Sequence, residues 1–71
     1  MARVIKAHIT GNVWKIEVKV GDQVSEGTTV AILESMKMEM PVESEDEGVI
    51  AVVLVKEGQS VKEGEPMFEL E

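Results

Sequence analysis

The chain has 71 residues, a net charge of −7 from 14 acidic and 7 basic side chains, and no cysteine. This excludes a disulfide framework and a thiolate zinc site, and it argues against nucleic acid or an anionic membrane as partner. What remains is one small domain near the lower size limit for a self-sufficient core. The longest uncharged apolar run, Val49 to Val55, is far too short to cross a bilayer. The first residues lack an apolar segment of signal-peptide length, so a soluble cytoplasmic monomer is expected.

Residues 3–9 open the chain with alternation, Val4, Lys6 and His8 on one side and Ile5, Ala7 and Ile9 on the other. That is the period of a strand with one buried face. His8 is the single histidine; without a cysteine to activate or acids at a metal-ligand spacing, it is predicted to be a surface strand residue. After Gly11, Trp14, Ile16, Val18 and Val20 form a second apolar row against Val13, Lys15, Glu17 and Lys19. Gly11, Gly21, Gly27, Gly48, Gly58 and Gly64 punctuate the chain at short intervals and are read as turn residues between short strands. The stretch Glu34–Met40, ESMKMEM, departs from this pattern: three of the chain's 5 methionines surround one lysine. Pro41 and the acidic run Glu43-Ser44-Glu45-Asp46-Glu47 follow. The run lacks the spaced oxygen ligands and glycine of a calcium loop and reads as a solvated turn. Residues 49–55 are apolar on both faces and rich in β-branched types, as suits a central strand. No window shows a helical period.

The glycines disclose a repeat. Gly11, Gly21 and Gly27 recur 37 residues later as Gly48, Gly58 and Gly64. In the same register Val18 matches Val55, Val24 matches Val61, Leu33 matches Leu70 and Glu34 matches Glu71. The match has no gap. Residues 3–34 and 40–71 therefore read as one motif used twice. Two copies are too few for a solenoid, but two four-strand motifs about a pseudo-two-fold axis can close on each other. The predicted fold is all-β: a flattened barrel, or sandwich, of two four-stranded antiparallel sheets, with Val24, Val61, Leu33 and Leu70 inside.

Between the halves lie residues 35–39, with Lys37 in the middle. A crossing there must be a surface hairpin, because a buried turn would strand backbone polar groups. Lys37 is thus expected at the tip with Met36 and Met38 exposed beside it, and Met40 is expected in the core.

At this point the chain resembles the biotinyl/lipoyl attachment domains, whose fold is the barrel-sandwich hybrid. The resemblance spans the whole chain, 1–71, including the turns VKVGDQVSEG and VKEGQSVKEG. It implies that Lys37 receives a cofactor through an amide bond and that Met36 and Met38 form the flanking motif. Met-Lys-Met is the pattern of biotin acceptors, whereas lipoyl acceptors usually have Asp-Lys-Ala. The resemblance therefore implies biotin, with lipoate on Lys37 for a 2-oxo acid dehydrogenase-type system, or a dual acceptor, as the alternative, and a carrier rather than an enzyme. The implied partners are a biotin protein ligase and the biotin carboxylase and carboxyltransferase components of a carboxylase, decarboxylase or transcarboxylase. The gapless repeat leaves no place for the thumb inserted in some bacterial acetyl-CoA carboxylase carriers. No alanine/proline-rich linker precedes Arg3: a complete chain would be a free-standing carrier, and an excised domain one whose linker has been removed.

Two readings from other classes stand beside this one. Met36, Met38 and Met40 could offer soft thioether ligands to Cu(I), although the intervening lysine cation and the missing cysteine argue against it. A structural β-module docking through its acidic surface is the other, and it gives no reason for a lysine at the symmetric centre.

Overall fold

The computed structural model of the protein describes residues 3–71; the first two positions of the expected domain lie outside them. The described residues form eight strands and no helix. In chain order these are β1 (Arg3–Lys6), β2 (Gly11–Ile16), β3 (Gln23–Val24), β4 (Thr29–Ser35), β5 (Met38–Glu43), β6 (Gly48–Val53), β7 (Ser60–Val61) and β8 (Pro66–Leu70). They build two four-stranded antiparallel sheets, ordered β1-β8-β6-β3 and β5-β4-β2-β7. Exchanging β1 with β5, β2 with β6, β3 with β7 and β4 with β8 turns one order into the other. The predicted pseudo-two-fold is present, and each sheet draws strands from both halves.

The core is made of repeat-related pairs. Val13 and Ile50, Val24 and Val61, Val30 and Met67, Leu33 and Leu70, and Ile5 and Val42 are all buried. The pair Ala31 and Phe68 is unequal but equally buried, one small residue against the chain's single phenylalanine, which lets a symmetric frame be filled without overpacking. Ser44, the image of Ala7, is the buried polar residue, and its hydroxyl donates to the Asp46 carbonyl at 2.6 Å. The acidic run is otherwise an exposed turn, as expected.

Each half also clamps the other through its turns. The Gly21 N–H donates to the Ile50 carbonyl at 2.8 Å, and the Gly58 N–H donates to the Val13 carbonyl at 2.6 Å. Both glycines have positive φ, 95° and 89°, a conformation that a side chain would resist. Within the turns, the Lys19 N–H donates to Asp22 Oδ2 and the Lys56 N–H to Gln59 Oε1, both at 3.0 Å.

Three sequence expectations need correction. Trp14 does not join the buried row. Val13 pairs with Leu33 and Lys15 with Ile32, so Trp14 is the extra residue of a bulge. An extra residue reverses the in/out parity, which buries Val13 and exposes Trp14. Ala51 is the matching irregularity of β6, between Ile50 (opposite Leu70) and Val52 (opposite Glu69). Second, β6 is internal to its sheet but covered on one face only: Val52, and Leu54 just beyond the strand, are exposed. Third, Gly11 and Gly48 are not turn residues but the first residues of β2 and β6.

Candidate functional site

Strands β4 and β5 form a hairpin whose ladder runs Ile32–Pro41, Leu33–Met40, Glu34–Glu39 and Ser35–Met38. Only Met36 and Lys37 are left for the loop, so the turn is tighter than the predicted 35–39. A two-residue hairpin whose flanking strands twist right-handed favours positive φ at both loop positions, and Asn-Gly usually supplies it. Here Met36 has φ 52° and Lys37 has φ 65°. For residues with a Cβ this costs about 1–2 kcal/mol each. Such strain persists where the surroundings over-determine the backbone, and the paired strands on either side do so. Pro41 fits the ladder because β5 is an edge strand, where a missing N–H is tolerated.

The side chains sort as expected at the tip. Lys37 is exposed, Met36 is 92% exposed and Met38 is 55% exposed. Met40, opposite the buried Leu33, is only half-buried, so it belongs to the margin of the core rather than its interior. Glu34 and Glu39 stand directly opposite each other one pair below the turn, a like-charge juxtaposition that brings no stability of its own. The turn therefore presents one primary amine between two flexible thioethers, with carboxylates beneath. This arrangement can offer the amine to another protein's active site.

One supporting residue was not legible as such in the sequence. A Cβ on Gly11 would lie 2.7 Å from the Glu34 carbonyl oxygen and 3.4 Å from Ser35 Cβ. The start of β2 thus presses on the base of the hairpin, and only glycine allows that approach. Gly48, its repeat mate, would meet chiefly the movable Arg3 guanidinium at 2.9 Å. The repeat marks both glycines equally and gives no sign of this difference.

Elsewhere, His8 is exposed, as predicted. With Lys6, Glu43, Glu45, Asp46 and Glu63 it lines an open cleft of about 470 Å³. Among the described residues no group of three His, Cys, Asp or Glu side chains is placed to hold a metal ion, and no helix is long and apolar enough to cross a membrane.

Comparison with known proteins agrees with this geometry. The family model described as "Biotin-requiring enzyme" matches residues 1–70. The "Biotin/lipoyl attachment protein" of Bacillus subtilis is 47% identical over 66 residues, covering 93% of this chain and 90% of the relative. The biotin carboxyl carrier protein of acetyl-CoA carboxylase from Solanum lycopersicum is 39% identical over 66 residues, covering 93% of this chain and 94% of the relative. Among solved structures, the urea carboxylase of Kluyveromyces lactis superposes with a TM-score of 0.92 at 34% identity, over 100% of this chain but only 6% of that one. The chain belongs to the biotin/lipoyl attachment family, as a biotinyl attachment domain.

Proposed function

We propose that the protein is a non-catalytic carrier whose Lys37 Nζ forms an amide with biotin and serves a biotin-dependent carboxylase. The observation that carries this reading is the position of Lys37: an exposed amine on a two-residue turn, midway between two halves of one repeat. The residues fit the group. No other side chain of the turn carries an amine to acylate, and a long substituent at an exposed tip meets no wall.

When attached, biotin supplies a ureido nitrogen that accepts and releases a carboxyl group. The chain's own part is placement. The hairpin fixes the base of the arm, and Gly11 beneath it leaves the strand ends no room to shift. Acylation removes the Lys37 charge, leaving a tip whose immediate neighbours are Met36 and Met38. Their unbranched side chains adapt to more than one surface, as a carrier visiting successive sites requires. Tethering raises the local concentration of the carried group at each site. The direct test is incubation with biotin, ATP and a biotin protein ligase, followed by intact mass. One biotinyl increment is expected in the wild-type protein.

Lipoate at the same lysine is a second reading, favoured by the joint name of the Bacillus subtilis relative. The two acceptors share the hairpin, so discrimination rests on Met36 and Met38 and amounts to roughly 1–3 kcal/mol. Parallel time courses with a lipoate ligase decide it. Biotin is expected to be the faster, and Met36→Asp with Met38→Ala should move the balance toward lipoate. Wild-type protein that takes lipoate faster would reverse the assignment.

A further inference from the structure

The chain divides its methionines by exposure. Met67 is fully buried at 0% and Met40 is half-buried, whereas Met36 and Met38, at 92% and 55%, stand on either side of Lys37. With no cysteine present, these thioethers are, among the described residues, the sulfurs most open to oxidants. We infer that Met36 and Met38 are a reversible oxidation site that governs the acceptor lysine: the thioethers permit acylation of Lys37, and their sulfoxides suppress it. This rests on the reading of Lys37 as the acceptor.

The chemistry needs only a hydroperoxide. A lone pair of the methionine sulfur attacks the distal peroxide oxygen, the O–O bond breaks, and an S–O bond forms. Sulfur is oxidised by two electrons while hydrogen peroxide is reduced to water. Reversal by a thiol-dependent sulfoxide reductase returns the oxygen as water and leaves a disulfide on the reductant.

Two structural facts make the effect local. Met36 is almost wholly in solvent, and its backbone is held at φ 52° by the turn, so an added oxygen meets no core atom. Met67 lies in the core among Val30, Phe68 and Leu70, out of reach of a peroxide while the domain stays folded. The fold therefore survives a dose that converts the tip. The consequence falls on docking. An enzyme that acylates Lys37 must cover the neighbouring side chains, and an S–O dipole buried there without a hydrogen-bond donor opposes that step. The sulfoxide is also polar and chiral where the thioether was adaptable.

The test uses the whole unmodified protein. Graded hydrogen peroxide is applied and removed, peptide mapping follows Met36, Met38, Met40 and Met67, and the initial rate of biotinylation is measured with untreated ligase. Met36 and Met38 should oxidise well before Met67 with an unchanged far-ultraviolet circular dichroism spectrum. The rate should fall about ten-fold, the scale on which a few altered apolar contacts act. Methionine sulfoxide reductases A and B should restore it. A Met36→Leu/Met38→Leu variant should be biotinylated at the same rate before and after peroxide. Untreated protein that takes biotin at a rate unaffected by peroxide overturns this inference alone. So does oxidation of Met67 in step with Met36, or a leucine variant still slowed by peroxide. Untreated protein that takes no biotin overturns the acceptor reading and this inference together.

Discussion

The two ends of the molecule are built from equivalent strands and finished differently. At one end β4 and β5 pair from Leu33–Met40 up to Ser35–Met38 and are joined by Met36 and Lys37. At the other, the equivalent strands β8 and β1 pair through Leu70 and Arg3 and no turn links them. The same ladder thus holds with or without a covalent crossing, so the left-handed pair at 36 and 37 is not a requirement of the barrel. It is a local feature of the hairpin end. Gly11 and Gly48 repeat the contrast: the first touches immovable backbone under the hairpin, the second a flexible arginine.

The sharpest way to separate the ends is chemical. Lys37→Arg keeps the charge and removes the acylatable amine, so biotinylation should be lost completely while thermal unfolding is unchanged. Streptavidin reactivity persisting in that variant would move the site elsewhere. Next in size are the core truncations. Leu33→Ala and Leu70→Ala, both in fully buried positions, should each destabilise by about 2–5 kcal/mol. That is a large part of the stability of so small a domain. Because the two sites are equivalent, urea midpoints that differ widely would show that the ends are unequal in packing as well as in turn chemistry.

The glycine pair gives a smaller contrast. Gly11→Ala should cost about 1–3 kcal/mol, the range for overpacking, and should slow biotinylation by displacing the base of the hairpin. Gly48→Ala should stay within about 1 kcal/mol of wild type, since Arg3 can move aside. Equal losses in both would remove the special role assigned to Gly11. The smallest effect is expected at the turn itself. Met36→Asn places a residue tolerant of positive φ where the backbone demands it, and a gain of about 0.5 kcal/mol is expected. A loss measured by chemical denaturation would mean that the turn is not strained.

The symmetric frame was legible because the repeat survives in the sequence without a gap. Glycine spacing and the pairs Val24/Val61 and Leu33/Leu70 were enough for two four-stranded sheets, a pseudo-two-fold axis between the halves, and the exposed lysine at their junction. The inward face of β2 was not. Trp14, Ile16, Val18 and Val20 alternate perfectly, and a bulge leaves no mark on alternation; it only shifts which row is buried. A clue lay in the repeat itself. Val13 corresponds to Ile50, both β-branched and both buried, while Trp14 corresponds to Ala51. The buried pair Ala31 and Phe68 is as unequal, so the mismatch is a clue only beside the matched Val13 and Ile50. The tightness of the turn and the pressure of Gly11 on Glu34 were also hidden. Both depend on distances between segments far apart in sequence, which residue spacing does not encode.

The strand order has a kinetic consequence. Of the six pairings, β4 with β5 is the one made by strands consecutive in the chain; the others, such as β1 with β8 or β3 with β6, must close long loops first. Topologies dominated by distant pairings fold slowly, whereas a hairpin forms in about 1–10 μs. The loop that presents Lys37 is then also the first contact available to the collapsing chain, and a strained turn there is a handicap at nucleation. A loop sequence that relaxes the turn, such as Met36→Asn, should speed refolding more than it slows unfolding if the hairpin is formed in the transition state.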